Sequence, residues 1–153
     1  MTPAPCVVAA LTAGDAGEAL TVQYAAYLSE ARRYRTTEIP PLRETFAQLA
    51  ADLQDPAVRG FGAWIGPRLV GSVRLRGERL GTGGGCAELV RFSVAPDAQG
   101  HGIGRTLLER AHAELAAGDV TWLVAGARSE ENLRLYRRAG YAETGRLVDA
   151  AGV

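Results

Sequence analysis

One stretch constrains the fold of this chain more than any other: Cys86 to Leu115, CAELVRFSVAPDAQGHGIGRTLLERAHAEL. Ala87 to Val94 is apolar and β-branched enough for a strand, and Pro96 ends it. Ile103, Leu107, Leu108, Ala111 and Leu115 then recur at helical spacing. Between strand and helix runs Gln99-Gly100-His101-Gly102-Ile103-Gly104. Glycines at 100, 102 and 104 let backbone N–H groups turn inward together at a helix N-terminus, where unpaired donors and the helix dipole favour an anion. Phosphate is the expected ligand chemistry.

Two familiar glycine loops do not fit. A dinucleotide-binding fingerprint counted from Gly100 needs Gly or Ala where Arg105 stands. A Walker loop needs Gly in place of Gln99 and Lys in place of Arg105. What remains, Gln99-x-x-Gly102-x-Gly104 after a strand ending in Val94, resembles motif A of the GNAT acetyltransferase superfamily. That motif is Arg or Gln, two residues, Gly, one residue, then Gly or Ala, and it binds the pyrophosphate of acetyl-CoA. The resemblance implies coenzyme contacts from Phe92, Ser93 and Val94 on the strand, and from Gln99, Gly100, His101, Gly102, Ile103, Gly104 and Arg105 in the loop and helix start.

With 153 residues the chain is expected to be one domain, 1–153, large enough to bury a core without metals or disulfides. A formal net charge of +0 supplies no global reason to expect nucleic acid or a membrane surface as partner. All 17 basic residues are Arg, which excludes self-acetylation on lysine. Cys6 and Cys86 stand near the starts of expected strands and read as small buried thiols in a reducing compartment. Metal-ligand spacing is lacking, so no metal is expected. No apolar run approaches the roughly 20 residues of a membrane span, and the N-terminus has no basic leader; a cytoplasmic protein is expected.

From the N-terminus, Cys6 to Leu11 suits a first strand. A helix is expected from about Ala16 into Arg32, burying Leu20, Tyr24, Tyr27, Leu28 and Ala31 on one face. The polar segment from Arg32 to Pro41 reads as a loop over an acceptor site, because two prolines cannot continue the helix. Leu42, Phe46, Leu49, Ala50 and Leu53 mark a second helix, ended by Asp55-Pro56. Gly60–Ile65 and Leu69–Leu75 read as a hairpin. Gly77 to Gly85 holds five glycines and reads as a mobile connection or a moving lid. Val120 to Ala125 is a further strand, Ser129 to Ala139 a helix capped by Ser129 and stopped by Gly140, and Tyr141 to Val148 a last strand. The alternation after Ala87 suggests a crossover between parallel strands.

Asn132 and Tyr136 are one turn apart on that final helix and project from one face. Asn-x-x-Leu-Tyr-x-x-x-Gly-Tyr, Asn132 to Tyr141, is similar to the second GNAT signature, which places the Asn near the coenzyme arm and the Tyr near its sulfur. Each also suits a structural role, a cap-region amide and a core aromatic. The resemblance implies an α/β (α+β) fold: a mixed, mostly antiparallel sheet of about six or seven strands flanked by four helices. The family usually adds a strand after the one that begins at Gly140-Tyr141, for which only Asp149–Val153 remains. An open sheet edge would then invite a homodimer.

The implied reaction is acetyl transfer from acetyl-CoA to a primary amine. An alkylammonium with a pKa near 10.4 is almost wholly protonated at pH 7, so a general base is needed. Glu88 is the candidate, because some GNAT acetyltransferases use a Glu eleven residues before the Arg or Gln of motif A, as Glu88 stands before Gln99. It lies six residues before Val94, roughly 20 Å of strand from the phosphate loop. A structurally satisfied Glu at a strand start reads equally well. Tyr136 would return a proton to the leaving thiolate. Backbone N–H groups near Phe92 and Val94 would polarise the carbonyl where the family's strand splays from its neighbour. His112, on the helix, reads as inert. Arg32, Arg33 and Arg35 could clamp an acceptor carboxylate or stand solvated. The competing classes are a non-catalytic acyl-CoA-binding regulatory domain and a nucleotide phosphate binder.

Overall fold

The computed structural model describes residues 5–147. Five strands form one sheet in the order β1-β2-β3-β4-β5: β1 (Cys6–Ala10), β2 (Val58–Ile65), β3 (Arg68–Glu78), β4 (Cys86–Val94) and β5 (Val120–Trp122). The first four pair antiparallel and β5 joins β4 parallel, as the crossover pattern implied. Five helices accompany them: α1 (Ala16–Tyr34), α2 (Pro40–Arg43), α3 (Phe46–Gln54), α4 (Ile103–His112) and α5 (Glu130–Arg138). The expected six or seven strands and four helices are thus corrected to five and five among the described residues.

Both differences have local causes. Tyr141 through Leu147 carry no strand, and the expected continuation through Val148 to Val153 lies outside the described residues. The expected second helix is broken in two at Glu44 and Thr45. Thr45 opens α3 with a capping box: its hydroxyl accepts from the Gln48 N–H at 3.2 Å, and the Gln48 side chain accepts from the Thr45 N–H at 2.9 Å. Pro40 and Pro41 begin α2, where a first turn tolerates proline.

The sheet has two unlike faces. On one, α4 buries Ile103, Leu107, Leu108 and Ala111 against Val73, Leu75, Leu89 and Phe92. On the other lies α1, whose buried residues are Ala16, Ala19, Leu20, Gln23 and Ala31, with Tyr24 and Leu28 exposed. The expected apolar face of α1 is therefore corrected. The reason is polar: Arg74 of β3 is only 3% exposed and must be met by acceptors. Its guanidinium donates to Glu44 at 2.6 Å, to Gln23 Oε1 at 3.3 Å and to Asp52. Glu44 turns inward to serve it, which is where the helix breaks.

The thiols of Cys6 and Cys86 are exposed rather than buried, each at the first position of its strand. The glycine-rich connection is tied down instead of free. Asp119 accepts four backbone N–H bonds, from Gly81, Gly83, Gly85 and Ala116, at 2.6 to 2.9 Å. Those bonds hold its carboxyl down at about 2, well under the usual carboxylate range. No helix among the described residues is long and apolar enough to cross a membrane.

Candidate functional site

β4 changes course at Arg91. Ser72 pairs with Ser93 but Arg74 pairs with Val90, so Val73 faces two residues, Arg91 and Phe92. This is a β-bulge, and Arg91 takes a left-handed φ of 55° there. On its other side β4 pairs with β5 only from Cys86 to Glu88, so from Leu89 onward that edge has no β-strand partner among the described residues. The splay implied by the resemblance is present in this pairing.

A groove of 1140 Å³ opens along that edge. One end is the start of α4. Gly100 and Gly102 adopt φ of 80° and 78°, and neither has an atom within 4 Å of where a Cβ would stand, so the loop presents bare backbone. Thr106 N–H is the donor to Gly102 C=O, which leaves the N–H groups of the first turn without intrahelical acceptors. Gly104 serves differently: a Cβ there would lie 2.7 Å from Phe92 Cζ and 3.3 Å from Leu135 Cδ2, so glycine lets α4 seat against β4 and α5. The Gln99 amide donates to Val94 C=O at 3.1 Å, closing the loop onto the strand end. His101 lies off the groove, its Nδ1 3.2 Å from Ala98 C=O.

Phe92 and Val94 form the floor, Asn132 and Leu135 of α5 one wall, and Tyr27, Glu30 and Arg33 of α1 the far end. Of the residues expected to touch a coenzyme, Phe92, Val94, Gln99, Gly100, Gly102, Ile103, Gly104, Arg105 and Asn132 line this groove. Ser93 and His101 flank it. Tyr136 is packed behind the lining, edge-on to Phe92 with ring centroids 5.8 Å apart and to Tyr141 at 6.1 Å. Burial pushes its phenol well above the ordinary value, with Tyr27, Tyr141 and Glu30 adding to the rise, so it holds its proton. Glu88 is half-buried beside Arg76 in the β3–β4 register, on the α1 face, and is outside the groove lining.

The sequence reading missed the α1 end. Tyr27 looked like core, yet it lines the groove, and burial pushes its phenol up to about 12. Glu30 accepts from Arg33 at 2.7 Å and from the Ser129 hydroxyl, so Ser129 binds across to α1 instead of capping α5. Arg32 and Arg35 lie apart from Arg33, at a shallow depression with Thr36 and Glu38, so the three arginines do not converge. His112 lines the groove too. Thr121 donates to the Tyr141 hydroxyl at 3.0 Å, and that hydroxyl shares a hydrogen bond with His112 Nε2 at 2.8 Å. Burial lowers the pKa of His112. No group of metal-ligating side chains occurs among the described residues.

The fold and two signatures have counterparts among known proteins. The model of the acetyltransferase (GNAT) family matches residues 24–141. An IAA acetyltransferase of Azospirillum brasilense is 38% identical over 68 residues, a match that spans 43% of this chain and 44% of that relative. PaiA N-acetyltransferase from Thermoplasma acidophilum, solved in complex with coenzyme A, superposes with a TM-score of 0.78 at 18% identity, over 96% of this chain and 94% of that one. A ribosomal-protein-alanine N-acetyltransferase from Brucella melitensis superposes with a TM-score of 0.64 at 23% identity, over 95% and 98%. These structural likenesses concern the fold. Because the family match runs through the bulged strand, the glycine loop and α5, over most of its length, the chain belongs to the GNAT family of acetyltransferases.

Proposed function

We propose that the groove holds acetyl-CoA and that the chain, working as one domain, transfers the acetyl group directly to a primary amine of a small molecule or peptide. The single observation that carries this is a convergence: the bare first turn of α4, the unpaired edge of β4 and the Asn132 face of α5 meet along one groove. Backbone N–H groups from Gly100 to Arg105 take the pyrophosphate, with Gln99 holding the loop shut. The edge at Phe92, Ser93 and Val94 takes the extended arm and polarises the thioester carbonyl, and Asn132 binds the arm from the facing wall.

The amine nitrogen attacks the thioester carbonyl carbon, the C–N bond forms and the C–S bond breaks. The amine's proton passes to a carboxylate, and Tyr136 gives its proton to the departing thiolate. Glu88 is the proposed carboxylate. Glu30 is a second reading, favoured because it lines the groove where Glu88 does not.

Thiol release from acetyl-CoA, assayed against pools of primary amines, tests this. The wild type is expected to release CoA with some pool, and Glu88→Gln to lower kcat by about 10²-fold at pH 7. If Glu30→Gln does so and Glu88→Gln does not, the base is Glu30. If acetyl-CoA binds and no amine releases thiol, the chain is a non-catalytic acyl-CoA-binding regulatory domain.

A further inference from the structure

Among the described residues one buried side-chain nitrogen or oxygen has no hydrogen-bond partner: Nε of Arg91, in the β4 bulge. A donor left bare away from water is costly, and on a guanidinium more so. The protein supplies no acceptor for it. Glu44 Oε1 lies 3.5 Å from Nε, close enough for attraction but not hydrogen-bonded to it. That oxygen is already bonded to Arg74 at 2.6 Å and to Gln23 at 3.0 Å, and Oε2 to Arg74 at 3.2 Å. Asp52 accepts from both Arg74 and Arg76. The guanidinium groups of Arg74, Arg76 and Arg91 thus share two carboxylates, Glu44 and Asp52. Glu88 stands beside Arg76 in the β3–β4 register yet makes no ion pair with any of the three among the described residues.

Position decides what the missing acceptor is. Arg91 directly precedes Phe92, whose ring forms the groove floor, while its own guanidinium reaches to the α1 face, where Glu44 lies. Both candidate bases, Glu88 and Glu30, belong to that same side, so the amine comes to the β4 edge from there. The Arg91 side chain is 23% exposed, which lets a small ligand touch it from solvent. Its left-handed φ is a strained setting for a non-glycine residue, of the kind that gathers at ligand sites. A planar, permanently charged fork recognises a carboxylate. We infer that Arg91 binds a carboxylate of the acceptor, so that the amine acetylated here is an amino acid or a similar small molecule carrying both groups. This rests on the proposed acetyl transfer and names its acceptor class.

The test is thiol release from acetyl-CoA with the common amino acids and, beside each, its carboxamide, which keeps the amine and removes the charge. Wild type, Arg91→Gln and Arg91→Lys are compared, with melting temperature and acetyl-CoA titration showing that each variant is folded and loaded. In an accepted pair, Arg91→Gln is expected to lower the acid-to-amide ratio of kcat/KM by about ten- to a hundredfold, through the KM of the acid rather than kcat. The differing basicity of the two amines cancels, because it is the same for every protein. Arg91→Lys, which keeps the charge without the fork, should give an intermediate fall. Calorimetric titration of the CoA-bound protein with the same acid should show the matching loss of affinity in Arg91→Gln. A ratio unmoved by either substitution, or a wild type that accepts carboxamides and no acid, overturns the inference while leaving acetyl transfer standing. Thiol release with neither set, from a protein that binds acetyl-CoA, overturns it as well. If acetyl-CoA does not bind, the proposed site itself falls and this inference with it.

Discussion

Tyr136→Phe is expected to lower kcat by about 10²- to 10³-fold while leaving the dissociation constant of acetyl-CoA within about threefold of wild type. The phenol is 8% exposed and packs edge-on against Phe92, whose ring forms the groove floor. Phenylalanine keeps both ring contacts, so the loss isolates the proton. Burial raises the phenol's pKa well above its ordinary value, so it stays a donor through the whole neutral range and its own titration adds no limb to the pH profile there. A coenzyme thiol near 8.5 is a stronger acid than this phenol, so the proton moves to the sulfur as charge builds there during C–S cleavage, and the tyrosinate must take a proton back before the next turnover. Steady-state kinetics with any accepted amine, set beside calorimetric titration with acetyl-CoA, separates the two parameters. Unchanged turnover would remove Tyr136 from the chemistry and leave it a core aromatic.

The largest effect on stability is expected at Arg74→Met. Methionine preserves the bulk of the stem and deletes the charge, leaving the 8%-exposed Glu44 without the guanidinium it was turned inward to meet. Removing one partner of a buried ion pair costs about 3 to 5 kcal/mol. The lower end applies here, because Gln23 still donates to Glu44 at 3.0 Å and Arg91 stays at 3.5 Å. About 3 kcal/mol corresponds to a melting temperature lower by roughly 6 to 12 °C in a domain of this size.

The pH dependence follows from the same carboxylate. Burial pushes the Glu44 pKa up, and its bonds to Arg74 and Gln23 and the nearby Arg74 and Arg91 charges outweigh that, so it sits below the ordinary value of 4.5. Its stabilising share in the wild type is therefore present above pH 4.5 and lost as pH falls through the depressed value. In Arg74→Met the balance reverses and the buried carboxylate prefers to be protonated, so the deficit should shrink as pH falls toward 4. Adding Glu44→Gln should recover part of the loss at pH 7. A deficit that is independent of pH and unrelieved by Glu44→Gln would mean that the charge network is incidental to packing.

What was legible in the sequence lay in local signals. The β4–loop–α4 unit announced itself through apolar periodicity and glycine spacing, and α5 through its acidic start, basic end and the terminator Gly140, which takes a φ of 103°. The Thr45-x-x-Gln48 box is equally local, but it sits inside an unbroken helical spacing from Leu42 to Leu53 that hides the break. The face of α1 could not be read from periodicity, because the sheet beneath it presents Arg74, so a polar Gln23 is buried where an apolar residue was expected. The Glu30–Ser129 contact joins positions 99 residues apart, and only the fold brings them together. Gly104 was expected to free a backbone donor and is instead held to glycine by Phe92.

The central claim is that the loop from Gln99 to Arg105 and the groove beyond it hold acetyl-CoA. The shift in melting temperature of the purified protein with acetyl-CoA, and with CoA, ATP and NAD alongside, tests it most directly. At a hundred times the dissociation constant a ligand adds about 2.7 kcal/mol, so acetyl-CoA and CoA should raise the melting temperature by roughly 5 to 10 °C and the two nucleotides by far less. A shift with ATP or NAD alone, or with none of the four, would contradict the claim and every role assigned along the groove.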